Sequence, residues 1–168
     1  MKKVLPRALP SNLIININII NIPILIGYIV SAMYICFAFT GLRNYAPLLG
    51  FLGGIIWCIW LYNYHKILQK LSMGKYPISP GAALGYCFIP LYNIYWAFKW
   101  PIEVSKYISE SSDFSIKIYS GILIGLLYII ALFINRYYGI GLILIFMIGS
   151  YLNNKFYELY TWSRPRKA

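Results

Sequence analysis

Charged residues are scarce in this chain, and acidic residues are the scarcest. Of the 168 residues only 11 % are charged, and four are acidic. Ordinary globular domains carry about 25 % charged residues, so the composition excludes a soluble domain. His65 is the only histidine. A bis-histidine haem or a histidine-based metal site needs more ligands than this chain supplies.

Cysteine is also sparse, and the common catalytic motifs are missing. Cys36, Cys58 and Cys87 each lie inside an apolar run. Their odd number, without a C-x-x-C, offers no complete disulfide framework. The sequence has no glycine-rich phosphate loop after a strand and no Gly-x-Ser-x-Gly. We therefore predict a protein that is not an enzyme and that needs no cofactor and no metal.

Long apolar runs are what the chain has in abundance, with 60 % hydrophobic residues and a mean hydropathy of +0.65. A transmembrane helix needs about 20 apolar residues, and four runs approach this length. They cover residues 22–42, 48–64, 116–134 and 139–157. Short turns join them in pairs. The predicted fold is all-α: a polytopic membrane helical bundle with four transmembrane helices in two hairpins, forming a single integral membrane domain over residues 1–168.

The segment 80–107 differs from these runs because it combines aromatic residues with helix breakers. Ser79 followed by Pro80 is typical of a helix start, with serine as the N-cap and proline at the first helical position. Pro90 and Pro101 are predicted to interrupt the helix that follows. We predict a proline-broken re-entrant or interfacial helix here, and a fifth span is the alternative.

Three polar side chains in this segment, Asn93, Lys99 and Glu103, would be costly in hydrocarbon. A lysine or aspartate at the centre of a transmembrane helix costs about 2.5–3.5 kcal/mol on insertion scales. Lys99 and Glu103 are spaced to pair inside a cavity. Ionisable residues within a membrane are candidates for function, so these residues and Pro90 form a candidate polar path or contact segment.

The distribution of positive charge favours four spans over five. If the central segment returns to the side from which it started, thirteen of the fifteen Lys and Arg residues lie on one side. Only Arg43 and Arg136 then face the other side. Cytoplasmic loops carry an excess of Lys and Arg, so we predict that both termini are cytoplasmic. The net charge of +11 then indicates contact with anionic lipids of the cytoplasmic leaflet rather than with nucleic acid.

The central segment also carries a resemblance. From Lys75 to Phe98 the chain reads KYPISPGAALGYCFIPLYNIYWAF. This stretch resembles a segment, Y-P-I-S-P-G-x-A-x-G-F-x-F-I-P-F-x-N-x-Y-W, of uncharacterised bacterial polytopic membrane proteins. Some of those relatives are fused to a GYF-like domain, which this chain lacks. The resemblance implies a bacterial inner-membrane protein and brings no activity and no catalytic residues.

Function is predicted less specifically than location. We expect an accessory or scaffold subunit of a membrane complex, or a protein that self-assembles. The alternative is a small channel, pore or transporter with its path at the central broken helix, and a lipid-acting membrane enzyme is third. Two small-residue spacings, which allow helices to approach closely, support packing within the bundle or association with other subunits. They are formed by Gly50 with Gly54 and by Gly121 with Gly125.

Overall fold

A computed structural model describes residues 18–72, 74–89, 91–111, 118–138 and 140–162. Over these residues the chain is helical, with turns and no strand. Apart from Lys155 on α6, the basic residues predicted to hold the two termini in the cytoplasm lie outside the described residues, as does Pro90. The predicted all-α fold is thereby confirmed for the described part of the chain.

Six α-helices follow one another along the described residues. They are α1 (Asn18–Ala38), α2 (Ala46–Leu71), α3 (Pro80–Gly85), α4 (Tyr92–Ser111), α5 (Ile118–Tyr138) and α6 (Ile140–Trp162). Single 3₁₀ turns precede α2, at Arg43–Tyr45, and follow α3, at Tyr86–Phe88. Helix α2 ends at Leu71, beyond the predicted apolar run 48–64. Gly74 has a φ of +82° and its N–H bonds to the Gln69 carbonyl, a geometry that glycine adopts without a steric penalty.

Three described helical stretches are long and apolar enough to cross a membrane: Asn18–Ala38, Arg43–Leu71 and Ile140–Glu158. The predicted span at 116–134 corresponds to a shorter apolar helix, Ser120–Ile134. The helices also expose many large apolar side chains, among them Leu25 on α1 and Phe133 on α5. Such a surface is compatible with location in a membrane, where lipid covers apolar side chains.

Helices α1 and α6 pack closely and run in opposite directions. The Gly27 backbone meets the ring of Phe146, where an added Cβ would overlap the ring. Further along, the Asn153 side chain reaches the backbone carbonyl of Ile20. Early residues of α1 therefore face late residues of α6, which makes the pair antiparallel.

Helix α2 also packs on α6, in the same direction. Gly53 lies against Leu142, and the Trp60 indole lies against Asn153, so residue numbers increase together along the contact. Between α2 and its neighbours runs a column of stacked aromatic rings. The centroids of Trp57 and Trp60 are 4.5 Å apart, and those of Trp60 and Tyr64 are 4.9 Å apart.

Helices α4 and α5 form a second close pair and are antiparallel. Ile102 meets Gly121, and Phe98 meets Gly125. Pro101 lies inside α4, so the prediction that it interrupts the helix is wrong. A proline removes one backbone donor from the ladder, here the donor to the carbonyl four residues earlier. A helix tolerates this loss where a neighbouring helix covers the freed carbonyl.

Helix α1 begins before the predicted apolar run. The first apolar run was predicted over residues 22–42. The described helix begins at Asn18 instead, with Pro23 inside it. Tertiary contacts account for the difference, since Asn21 accepts a hydrogen bond from the Asn153 amide at 3.0 Å. A partner on α6 thus stabilises a turn that local pattern does not predict.

Candidate functional site

The segment that was predicted to be re-entrant folds back on itself as a short hairpin of α3 and α4. Ser79 caps α3 by accepting a hydrogen bond from the Ala82 N–H at 3.2 Å. The Trp96 indole, on the first turns of α4, donates to the Ala83 carbonyl at 3.1 Å. The chain reverses near Leu91, which has a φ of +63°. Segment 80–107 is therefore not one continuous helix.

The base of this hairpin is anchored to the end of α2 by a buried histidine–tyrosine pair. His65 is fully buried and Tyr76 is 3 % exposed. A hydrogen bond of 3.0 Å joins Tyr76 Oη to His65 Nδ1. The Tyr76 and Tyr107 ring centroids are 5.4 Å apart, so the chain enters and leaves the hairpin at one place. The Trp100 ring meets His65 edge-on at 5.9 Å.

The electrostatics of the base favour neutral groups. Burial raises the pKa of the Tyr76 hydroxyl well above its ordinary value, and Tyr64, Glu103 and Tyr107 shift this pKa in the same direction. Buried groups that cannot be solvated resist ionisation in this way. His65 Nε2 is buried without a hydrogen-bond partner among the described residues. The base is thus a buried anchor whose tyrosine is held in its neutral form.

The tip of the hairpin is apolar and exposed, in contrast to its base. Leu91 is 84 % exposed and Phe88 is 70 % exposed. Ile89, Ile94 and Tyr95 are also exposed. A leucine with positive φ is strained, because its Cβ lies too close to the backbone. This conformation costs about 1–2 kcal/mol. The sequence therefore keeps a large apolar side chain where glycine would fit better.

The three predicted polar path residues that the structure describes, Asn93, Lys99 and Glu103, all lie on α4. Asn93 is half-buried, and its backbone N–H bonds to the Ile89 carbonyl. Lys99 Nζ lies 5.4 Å from the centroid of the Tyr95 ring, which is a cation–π geometry. Glu103 is half-buried, and the contacts of the described residues do not include an ion pair between it and Lys99. A shared role for Asn93, Lys99 and Glu103 stays a prediction.

Gly121 and Gly125 lie where α5 meets the backbone of α4. A Cβ at Gly121 would be 2.7 Å from Ile102 Cα and 2.9 Å from the Pro101 carbonyl oxygen. A Cβ at Gly125 would be 2.8 Å from the Ala97 carbonyl oxygen. Ala97 is the residue whose carbonyl lacks a helical donor because of Pro101. The glycine therefore allows α5 to cover that carbonyl with its own backbone.

Gly50 and Gly54 differ in what surrounds them. A Cβ at Gly50 would lie 3.0 Å from the Tyr34 ring of α1. At Gly54 an added Cβ meets no heavy atom within 4 Å, because this glycine lines an open groove. The groove has a volume of about 510 Å³ and lies between α2, from Phe51 to Asn63, and the α3 side of the hairpin.

Sequence reasoning missed the polar contacts that hold the helices together. The Asn153 amide bonds to Trp60, Ile20 and Asn21, and so connects three helices. The only local signal for these contacts was Asn153 itself, a polar residue within the predicted span 139–157. The His65–Tyr76 pair was also missed, because Tyr76 is recognisable as a partner only when the chain has folded.

The described residues contain no cluster of three or more His, Cys, Asp or Glu side chains that could hold a metal ion. Comparison of the chain with models of protein families, with curated proteins and with solved structures found no match. The geometry of the bundle and its hairpin therefore carries the functional argument.

Proposed function

We propose that the chain is a bacterial inner-membrane protein in which α1, α2, α5 and α6 cross the bilayer as two hairpins. The helix directions support this arrangement. Because α2 and α6 run in the same direction, α5 must return across the membrane before α6 begins. The chain between α2 and α5 therefore starts and ends on one side, as a re-entrant hairpin requires.

Charge supports the orientation. Lys66, Lys70 and Lys75 lie at the hairpin end of α2, and Lys106 lies on α4 beside the base of the hairpin. Arg43 lies at the opposite end of α2. An excess of basic residues marks the cytoplasmic side, so the base of the hairpin and both termini are cytoplasmic.

The function that this geometry supports best is that of an accessory or scaffold subunit that contacts a membrane partner through the tip of the hairpin. The single observation that carries the proposal is the contrast between the anchored base and the exposed tip. The hydrogen bonds made by Trp96 and Tyr76 anchor the hairpin. Leu91 and Phe88 at its tip are exposed. A rigid apolar projection pre-organises a contact and lowers the entropic cost of association.

The test compares two exposed apolar positions with a photo-crosslinking amino acid. Leu91 at the tip is 84 % exposed, and Phe133 on α5 is 72 % exposed. In native membranes, position 91 is expected to crosslink to one protein in a stoichiometric complex, whereas position 133 crosslinks to lipid. Crosslinks of residue 91 to lipid alone, at the level found for residue 133, would contradict the proposal.

A substitution adds a second readout. Leu91→Gly removes the most exposed side chain of the tip and fits the positive φ, so the fold is expected to be retained. The complex is expected to dissociate in blue-native electrophoresis, and Phe133→Ala is the control that leaves it intact. A complex that survives Leu91→Gly would show that the tip is not the contact.

A further inference from the structure

The open groove beside α2 has one cationic end. Its α2 side is a helical stripe on which Phe51, Gly54, Cys58 and Tyr62 follow one another at spacings of three or four residues. On the same stripe the next position is Lys66. Lys66 Nζ lies 5.9 Å from the centroid of the Tyr62 ring, so the cation borders the groove. An apolar channel with a positive end is complementary to an amphiphile with a negative head.

The dimensions fit one leaflet of a bilayer. From Phe51 to Asn63 the helix rises about 18 Å at 1.5 Å per residue. Half of the hydrocarbon core of a bilayer is about 15 Å. The volume of about 510 Å³ lies in the range of sites that bind small molecules. The hairpin closes the groove on its other side with Leu84 and Phe88.

We propose that this groove binds one anionic phospholipid of the cytoplasmic leaflet, with an acyl chain along Gly54 and the phosphate at Lys66. The inference rests on the membrane placement proposed above but not on the scaffold role. A second copy of the chain fits less well. Parallel copies would bring their Lys66 and Lys70 side chains together, and like charges repel.

Glycine is central to the site. Gly54 has open space where a side chain would be, so its Cα forms part of the floor of the groove. The side chain of a leucine at this position would extend from that open space into the channel. Lys66 and Lys70 are both exposed and continue the α2 stripe at a spacing of four residues. They offer two cations to one phosphate, and each cation near an anionic lipid surface is worth about fivefold in binding.

The experiment uses the full chain in nanodiscs of phosphatidylcholine, with phosphatidylglycerol carrying a photoactivatable acyl chain as the probe. Peptide mass spectrometry is expected to find the label concentrated on residues 51–63. Gly54→Leu is expected to lower that label at least about fivefold, because it fills the channel. Leu126→Phe, which adds bulk to an exposed position of α5, is the matched control and leaves the label unchanged.

The head group is tested separately with the double variant Lys66→Gln and Lys70→Gln. Its preference for phosphatidylglycerol over an equally labelled phosphatidylcholine is expected to fall more than tenfold. Lys106→Gln, an exposed lysine on α4, is the control and keeps the preference. A preference that is unchanged in the double variant would overturn the assignment of an anionic head.

Other outcomes also decide against the site. Label spread evenly over all lipid-facing helices would mean that the groove holds no particular lipid. A dimer in native mass spectrometry that Gly54→Leu dissociates would make the groove an interface between copies. If Gly54→Leu fails to fold, judged by circular dichroism, Ile59→Trp narrows the same groove, and unchanged label in that variant refutes the proposal. The crosslinks of residue 91 report on the scaffold role independently.

Discussion

Asn153 is buried between three helices, and its hydrogen bonds explain why an amide is tolerated there. Its Oδ1 accepts from the Trp60 indole at 3.0 Å, and its Nδ2 donates to the Ile20 carbonyl at 3.1 Å. Hydrogen bonds between helices in membranes contribute on average about 0.6 kcal/mol and at most about 1.7 kcal/mol. A residue that makes several of them stabilises the bundle and fixes the register of its helices.

Asn153→Leu is expected to lower the free energy of unfolding by about 1–2 kcal/mol, because it leaves the Trp60 N–H without an acceptor. Unfolding in mixed detergent micelles, followed by tryptophan fluorescence, measures the change. Asn154→Leu is the matched control, since this neighbouring asparagine is exposed. Equal losses in the two variants would show that the buried network is not the cause.

The His65–Tyr76 pair predicts a dependence on pH at the residue scale. Both states protonate Tyr76 below about pH 10, the ordinary pKa of tyrosine. Above that pH the unfolded chain releases the proton while the folded chain keeps it, because burial raises the pKa of Tyr76 in the fold. Ionisation then favours unfolding, so the stability that depends on this group falls as the pH rises above about 10.

Tyr76→Phe separates this effect from the titration of other groups. At pH 8 the variant is expected to be about 1 kcal/mol less stable than the original chain, since it loses the hydrogen bond to His65. The difference is expected to shrink as the pH rises above 10, because phenylalanine does not ionise. Unfolding curves at a series of pH values provide the measurement. A difference in the free energy of unfolding between the two chains that stays constant up to pH 11 would contradict this prediction.

At the scale of elements, glycine determines how closely α5 approaches α4. Gly121→Ala is expected to destabilise the protein by about 1–3 kcal/mol, because its Cβ would meet the backbone of Ile102 and Pro101 rather than a flexible side chain. The control is Gly54→Ala, which meets nothing within 4 Å and is expected to be neutral or stabilising by up to about 1 kcal/mol. Thermal unfolding in one detergent compares the two variants.

The helices were predictable from local sequence to a larger extent than the contacts between them. Ser79 and Pro80 correctly predicted the start of α3, since a hydroxyl acceptor and a fixed φ act within one turn. Pro101 was misleading because its effect depends on Gly125, which lies on another helix. The groove could not be predicted either, since its two sides come from α2 and the α3 side of the hairpin. Its floor is Gly54, where an added Cβ would meet no heavy atom within 4 Å.

At the scale of the whole molecule, the proposed four-span topology rests on the parallel directions of α2 and α6 and on the distribution of lysine. In a variant that lacks Cys36, Cys58 and Cys87, the substitution Arg43→Cys is expected to give a thiol that reacts with an impermeant maleimide in intact cells. The substitution Lys75→Cys is expected to give a thiol that reacts only after the membrane is opened, because basic segments stay in the cytoplasm. Labelling of position 75 in intact cells, at the rate of position 43, would refute the four-span arrangement.

The meeting of Tyr76 and Tyr107 at the base of the hairpin has a consequence for biogenesis. In the proposed four-span topology no hydrophilic flank of this segment has to be translocated, because the chain enters and leaves the hairpin at one place. The insertion machinery can therefore deliver α2 and then α5 as ordinary stop-transfer and signal-anchor sequences. In that order the hairpin docks after α5 has been inserted, because α4 packs against Gly121 and Gly125 of α5, which are synthesised later.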